Sequence, residues 1–167
     1  MNTPASDAKS SSPADAPEDP KAQLLATLDS VSDNVAVLDS QGNIVMTNVA
    51  WRQFAQAYSP QPGRTTPDTD VGSNYLEVVS RCHNPQDASD QALNGIRAVL
   101  SGSLESFCLS YPCHTPVAQH WFAMTVTPLE WEGQRGALVK HSEITPRHRL
   151  DHRRVQRLTP NFPDTKP

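Results

Sequence analysis

The order in which strand-like and helix-like periodicities follow one another restricts the fold of this chain more than any other feature. Two short apolar runs, 35–39 and 44–47, flank a turn cluster at 40–43 whose glycine and asparagine tolerate positive φ. Helical periodicity follows, and three strand-like segments come last. Strands and helices do not alternate as they do in a parallel sheet. The sequence therefore predicts an α+β fold, a five-stranded antiparallel sheet in the order ββααα(α)βββ with helices packed on one face.

Three helices are predicted between the two groups of strands. Asn48 can cap the first, in which apolar residues recur at i, i+3, i+4 and i+7 and form one face. The third ends at the stop signal Ser101-Gly102. Residues 59–71 contain prolines and a glycine among polar residues and are predicted to form a loop. The apolar positions of the three helices are Trp51, Phe54, Ala55 and Tyr58, then Tyr75, Leu76, Val79 and Cys82, and finally Ala92, Ile96, Val99 and Leu100.

The last three segments, 104–111, 120–129 and 136–142, have strand character and are separated by proline or glycine turns. Because side chains alternate along a strand, every second residue shares a face, and we expect that face to pack against the helices. The residues that share it are Phe107, Leu109 and Tyr111 in the first segment and Phe122, Met124 and Val126 in the second.

The domain boundaries follow from composition. Residues 1–19 are Ser, Ala, Pro and Asp with almost nothing to bury, so we expect a disordered leader. Asp19-Pro20 is typical of a helix start, and a flanking helix is predicted within 20–33, with Leu24, Leu25, Leu28 and Val31 at helical spacing. The folded domain is expected over 34–145. A basic extension, helical and then disordered, is predicted for 146–167.

Charge and cysteine content exclude several classes of protein. The formal net charge is -4 and 19% of residues are charged, so no overall positive field attracts nucleic acid or an anionic membrane. No apolar stretch is long enough to span a bilayer and no signal peptide is recognisable. Cys82, Cys108 and Cys113 are odd in number and lack CxxC spacing, which favours reduced thiols. We therefore expect a cytoplasmic protein that does not bind membranes.

The residues capable of catalysis or metal binding form no recognised pattern. Cys113 and His114 are adjacent, so on a strand their side chains point to opposite faces, which disfavours action as nucleophile and base unless the local turn redirects them. The histidines at 83, 114, 120 and 141 match no zinc spacing. The sequence predicts no catalytic residue, no metal site and no enzyme activity.

Several short motifs carry a resemblance to a known family. They are Asn34-Val35-Ala36-Val37-Leu38-Asp39 with Gly42-Asn43-Ile44, Asn48-Val49-Ala50-Trp51, Gly72-Ser73-Asn74-Tyr75-Leu76, and Tyr111-Pro112-Cys113-His114-Thr115-Pro116 with His120-Trp121-Phe122. Over about residues 24–149 the chain resembles the PAS family of bacterial sensory domains. Its last strand ends in Glu143-Ile144-Thr145, which resembles the family's Asp-Ile-Thr signature, with glutamate in place of aspartate.

The resemblance implies a sensory and protein-interaction module of bacterial signal transduction, which passes a ligand- or partner-dependent conformational change to an effector. Such domains commonly precede a histidine kinase, a diguanylate cyclase or a DNA-binding domain. No output domain follows in this sequence, so we expect the effector to be a separate protein, such as a kinase, a diguanylate cyclase or a transcription regulator. If the sequence is a fragment of a longer protein, the output domain would lie in the part that is not given. The signal would leave through Glu143, Ile144 and Thr145. Homodimer contacts are expected around Trp121 and Ala123 and on the flanking helix at 24–31.

Two alternatives stay open beside this interpretation. The first is a redox or gas sensor that holds haem or a noncovalent flavin. Residues 87–100 lack the histidine that the family's oxygen sensors carry there, and no Asn-Cys-Arg-Phe motif for a flavinyl cysteine is present. The second is a small DNA-associated regulator acting through the arginine-rich segment 147–157, which lacks aromatic residues to stack bases, so nucleic acid is the less favoured partner.

A small organic ligand would bind in an apolar pocket between the sheet and the helices. The same side chains also suit a closely packed core, and they name no particular ligand. The predicted pocket residues are Phe54, Tyr75, Leu76, Val79, Ile96, Phe107, Leu109, Phe122, Met124 and Val126.

Overall fold

The computed structural model describes residues 19–57, 59, 66–81, 88–113, 119–131 and 133–146. Two predicted helix positions, Tyr58 and Cys82, lie outside these ranges, as do most of the predicted leader and of the basic extension. The elements, in chain order, are α1 (Pro20–Asp29), β1 (Asn34–Leu38), β2 (Ile44–Thr47), α2 (Val49–Ala57), α3 (Tyr75–Arg81), α4 (Ala88–Ser101), β3 (Phe107–Pro112), β4 (Trp121–Trp131) and β5 (Gln134–Glu143). The predicted α+β class and element order are confirmed.

The five strands form one antiparallel sheet in the spatial order β2-β1-β5-β4-β3. The first and last strands are therefore neighbours in its middle, with Asn34 opposite His141 and Leu38 opposite Ala137. β3 forms one edge and pairs with β4 from Phe107 to Pro112. This arrangement places the end of β5 beside the start of β1.

The predicted turn between β1 and β2 is held by the Asp39 carboxylate. Gly42 has φ +84°, which a side chain would disfavour. Asp39 Oδ1 accepts from the amides of Gln41 at 2.8 Å and Asn43 at 2.9 Å, and Oδ2 accepts from Asn43 Nδ2 at 2.9 Å. Partial burial acts to raise the pKa of Asp39, but these hydrogen bonds outweigh it and the pKa lies below its ordinary value. The turn therefore favours the ionised carboxylate.

The strand β3 begins at Phe107, three residues later than the sequence predicts. The amides of Ser103 and Leu104 both donate to the carbonyl of Ala98, at 2.8 and 3.1 Å, and so continue the end of α4. Gly102, with φ +83°, permits this reversal. Residues 103 and 104 thus satisfy the helix terminus instead of joining the sheet.

Helices α2, α3 and α4 cover one face of the sheet and enclose the main core. Its central residues are fully buried: Ile96 and Val99 of α4 meet Val126 of β4 and Val139 of β5. Phe107, Leu109 and Tyr111 pack against this core, and Phe122, Met124 and Val126 are buried, as their alternation predicts. Burial of these side chains is the main favourable term for the domain.

The helix α1 packs on the opposite face of the sheet. Val35 and Val37 of β1 form a second cluster with Leu28 of α1 and Met46 of β2, whereas the alternate β1 residues Ala36 and Leu38 belong to the main core. Alternate residues point to opposite faces, so the two clusters lie on either side of the sheet. The flanking helix thus covers β1 and β2 on the face of the sheet opposite to the main core.

The side chain of Asn48, fully buried, joins four elements. Its Oδ1 accepts from the amide of Val35 at 3.0 Å and, as the predicted cap of α2, from the amide of Trp51 at 2.9 Å. Its Nδ2 lies within hydrogen-bond distance of the carbonyls of Leu28 (3.1 Å), Val31 (3.1 Å) and Asp33 (2.9 Å). One amide therefore ties the end of α1, the start of β1 and the start of α2 to the end of β2.

We predict that Asn48→Ala lowers the free energy of unfolding by at least about 3 kcal/mol, because buried amides and carbonyls lose their partner in a site that water does not reach. Chemical denaturation followed by circular dichroism measures this. The control is Asn94→Ala on the exposed side of α4, which should change the same quantity by less than about 0.5 kcal/mol. Equal losses in the two variants would contradict the role given to Asn48.

Candidate functional site

The site centres on His141, which faces the core because side chains alternate between the two faces along β5. Ala137 and Val139 are fully buried, and His141 occupies the next inward position with 9% exposure. The Tyr75 hydroxyl of α3 lies 2.9 Å from His141 Nε2, and the Tyr111 hydroxyl of β3 lies 2.7 Å from Nδ1. These three side chains, the Tyr75–His141–Tyr111 triad, join a helix to two strands.

The histidine of this triad is neutral at neutral pH. Burial lowers the pKa of His141 from about 6.5 to about 4, because charging the imidazole away from water is unfavourable. A neutral imidazole has one N–H donor and one acceptor nitrogen. One tyrosine hydroxyl therefore donates to His141 while the other accepts from it, and the accepting hydroxyl directs its own proton away from the ring.

Three cavities meet at His141. The apolar cavity, of about 280 Å³, lies between α3, α4 and the strands β3 and β4. The polar cavity, of about 450 Å³, lies between α2 and the start of β1. The third, which we call the middle cavity, has a volume of about 160 Å³ and includes Trp51 in its wall. The apolar cavity is lined by Tyr75, Val78, Val79, Ala88, Ser89, Ala92, Leu109, Tyr111, Pro112, Cys113, Met124 and His141.

The predicted pocket residues fall into three groups. Those lining the apolar cavity are Tyr75, Val79, Leu109 and Met124. Phe54 and Phe122 line the polar cavity, with their rings 5.5 Å apart in an edge arrangement. The remaining four, which pack in or against the main core and line none of these cavities, are Leu76, Ile96, Phe107 and Val126. Ligand binding by any of the ten stays a prediction.

Sequence reasoning did not identify His141 or Tyr111 as cavity residues. His141 was considered only as a metal ligand, and Tyr111 only as a face-sharing strand residue. The signal was present, because His141 follows Ala137 and Val139 at a spacing of two on a predicted strand. The partner tyrosines could not be found that way, since they reside 66 and 30 positions away in the chain.

The residues predicted to pass the signal out of the domain, Glu143, Ile144 and Thr145, form hydrogen bonds with one another and with the start of β4. The amide of Ile144 donates to the carbonyl of Trp121 at 2.8 Å, and the amide of Trp121 donates to Thr145 Oγ1 at 3.0 Å. The Thr145 hydroxyl in turn donates to Glu143 Oε1 at 2.9 Å, and His120 Nδ1 lies 2.8 Å from the same oxygen. Glutamate therefore makes a side-chain contact at the position where the family has aspartate.

Other chemically active side chains are dispersed. Cys108 is an exposed free thiol and Cys113 is half-buried, while Cys82, His83 and His114 lie outside the described residues. Within the described ranges, no three His, Cys, Asp or Glu side chains are grouped to hold a metal ion. Both ring nitrogens of His141 contact tyrosines, so iron or zinc binding there would require the loss of one hydroxyl contact. Among the described helices, none has the length and apolar character needed to cross a membrane.

Sequence comparison finds one similar protein. No family model matches the chain. An uncharacterized 104.1 kDa protein of Rhodobacter capsulatus, from the hypE 3' region, is 42% identical over 131 residues, which are 75% of this chain and 13% of that protein.

Solved structures give the second comparison. The PAS domain of a protein from Colwellia psychrerythraea is 20% identical with a TM-score of 0.50, covering 77% of this chain and 99% of that one. The PAS domain of Bordetella pertussis BvgS is 15% identical with a TM-score of 0.50, covering 83% and 95%. The chain therefore has a PAS-like fold, as the sequence motifs predicted.

We predict that His141→Gln flattens the pH dependence of stability. Since the folded-state pKa is lowered, the unfolded state binds more protons between pH 4 and pH 6.5, so stability falls as the pH drops through that window. The wild type should lose on the order of 3 kcal/mol there from this group. Urea titrations at several pH values measure the difference between wild type and variant, which cancels the shared carboxylate titrations. Parallel curves for the two proteins would show that His141 is not a buried neutral base.

Proposed function

We propose that this chain is a sensory and protein-interaction module of bacterial signal transduction, which binds a small ligand in the apolar cavity and passes the conformational change to an effector. One observation carries the proposal: His141 lines all three cavities and lies two residues before Glu143, where β5 ends. A change at the cavity wall therefore acts on the strand that leads out of the domain.

A row of paired residues supports transmission from the cavity to the exit. Tyr111 of β3 pairs with Phe122 of β4, and Phe122 pairs with Glu143 of β5. Next in the row, the backbone of Trp121 accepts from the amide of Ile144 and donates to the side-chain hydroxyl of Thr145. A ligand acts through this row only if it binds one arrangement of the triad better than another, which is a population shift.

The output is proposed to be a protein effector such as a kinase, a diguanylate cyclase or a transcription regulator. The matched segment forms only 13% of the Rhodobacter capsulatus protein, which supports a role beside other domains or partners. The likeness in fold to PAS domains, which are typically non-catalytic, supports a non-enzymatic role. A cytoplasmic location and homodimer contacts through α1 and the sheet face around Trp121 and Ala123 belong to the same proposal.

No specific observation on the described residues supports the haem or flavin sensor or the DNA-associated regulator. The arginine-rich segment 147–157 of the DNA-associated alternative lies outside the described residues. For the haem or flavin alternative, the apolar cavity offers tyrosine and histidine groups already in contact with one another. Ligand sensing through the triad is therefore the function that the geometry supports best.

We predict that Thr145→Ala uncouples the cavity from the exit. In the wild-type background, Tyr111→Phe removes one hydroxyl from His141 and should speed amide exchange at Ile144 about fivefold or more, the range of typical coupling energies. In the Thr145→Ala background the same change should alter that rate less than about twofold, because the acceptor of the Trp121 amide is gone. Amide hydrogen exchange measured by NMR gives both rates.

Two controls make this test specific. Thr145→Ser keeps the hydroxyl and should preserve the coupling, and the amide of Val37 in β1 reports any global loss of stability. Equal acceleration at Ile144 and Val37 in Tyr111→Phe, or full coupling in Thr145→Ala, would count against transmission along this row.

A further inference from the structure

We infer that the apolar cavity takes an uncharged organic molecule with an apolar body of one or two rings and a single hydrogen-bonding group directed at the Tyr75 and Tyr111 hydroxyls. This inference rests on the proposed ligand-sensing function and adds the chemical class of the ligand. It follows from the charge, the size and the polar groups of the described cavity wall.

The described lining of the apolar cavity has no charge that could compensate a charged ligand. Of the described residues that line the apolar cavity, none is Asp, Glu, Lys or Arg. His141 is neutral because it is buried. A carboxylate or an ammonium group that left water for this cavity would find no opposite charge among the described lining residues, and its desolvation would oppose binding. A neutral ligand does not meet this penalty.

The size and polarity of the cavity favour a ligand body of one or two apolar rings. A dry engineered cavity of about 150 Å³ holds benzene, and the apolar cavity measures about 280 Å³. It therefore accommodates two fused rings or one ring with a short substituent. Its walls include Val79, Ala92, Leu109 and Met124, all of which pack with the main core. Dispersion and desolvation at these walls favour an apolar ligand body.

The polar groups of the triad lie together in the cavity wall. The hydroxyls of Tyr75 and Tyr111 both meet His141, and the other described lining residues are apolar apart from Ser89 and Cys113. A hydroxyl can take part in up to three hydrogen bonds, one donated and two accepted, so contact with His141 does not by itself exclude a bond to a ligand. A ligand with one hydroxyl, keto or ring N–H group at its end can therefore bond to the triad while its rings contact the aliphatic residues.

The test uses three probes of matched shape: 2-naphthol, which is neutral and polar at one end, naphthalene, which lacks the polar group, and 2-naphthoate, which is an anion. Isothermal titration calorimetry at pH 7 on the full chain measures their dissociation constants. We expect 2-naphthol to bind about fivefold or more tightly than naphthalene, the gain of one hydrogen bond. We expect 2-naphthoate to bind at least about tenfold more weakly than 2-naphthol, owing to desolvation of its charge.

Variants locate the binding. Tyr111→Phe keeps the ring and removes the hydroxyl, so it should abolish the preference for 2-naphthol while leaving the naphthalene affinity within about twofold. Cys108→Ser on the same strand is the matched control, because Cys108 is exposed and does not line the cavity; it should leave all three constants unchanged. Thermal unfolding of each variant confirms that the fold is retained.

The outcomes separate the ligand class from the proposed function. Tighter binding of 2-naphthoate than of 2-naphthol, no saturable binding of any probe, or an undiminished 2-naphthol preference in Tyr111→Phe would each overturn the inferred class. Amide exchange at Ile144, measured on the probe-saturated protein, tests the function separately. If 2-naphthol binds as expected and Ile144 does not respond, the ligand class stands and transmission to the exit fails; if 2-naphthoate is the preferred ligand and Ile144 responds, transmission stands and the class fails.

Discussion

The fold depends on one buried side-chain amide. Asn48 is without exposure to solvent, and its carbonyl oxygen and amide group contact five backbone groups that come from three different stretches of the chain. Leu28, Val35 and Trp51 lie near the end of a helix or strand, and Val31 and Asp33 lie in the connection between α1 and β1, where regular hydrogen bonding stops. Because both the donors and the acceptors of one residue are used, the ends of α1 and β2 and the starts of β1 and α2 have fixed relative positions.

The same region is reinforced by carboxylates at the surface of the domain. Asp29 accepts from the amide of Val49 at 2.7 Å, which adds a second link between α1 and α2. Asp33 Oδ2 accepts from the Ser142 hydroxyl at 2.9 Å and lies 3.4 Å from Lys140 Nζ. The connection that follows α1 is thereby attached to β5, the strand that carries His141. Helix α1, β1 and β5 thus form one hydrogen-bonded unit with the candidate site at its inner face.

Local sequence patterns predicted the α+β class and the element order because they report local and repetitive constraints. The alternation of Phe122, Met124 and Val126, the turn at Gly42 and the cap of Trp51 by Asn48 all follow from neighbours within a few residues. The amide contacts of Asn48 with Leu28 and Val31 join positions 20 and 17 residues apart, which no local pattern specifies. Similarly, alternation could place His141 on the inward face, but only the folded chain brings Tyr75 and Tyr111 to its two nitrogens.

The central pairing of β1 with β5 places the connection from α1 next to the connection that follows β5. The connection into β1 and the connection out of β5 are bridged by the Ser142–Asp33 hydrogen bond, so the two leave the sheet side by side. A twist of β5 relative to β1 would therefore move helix α1 and the segment that follows Glu143 together.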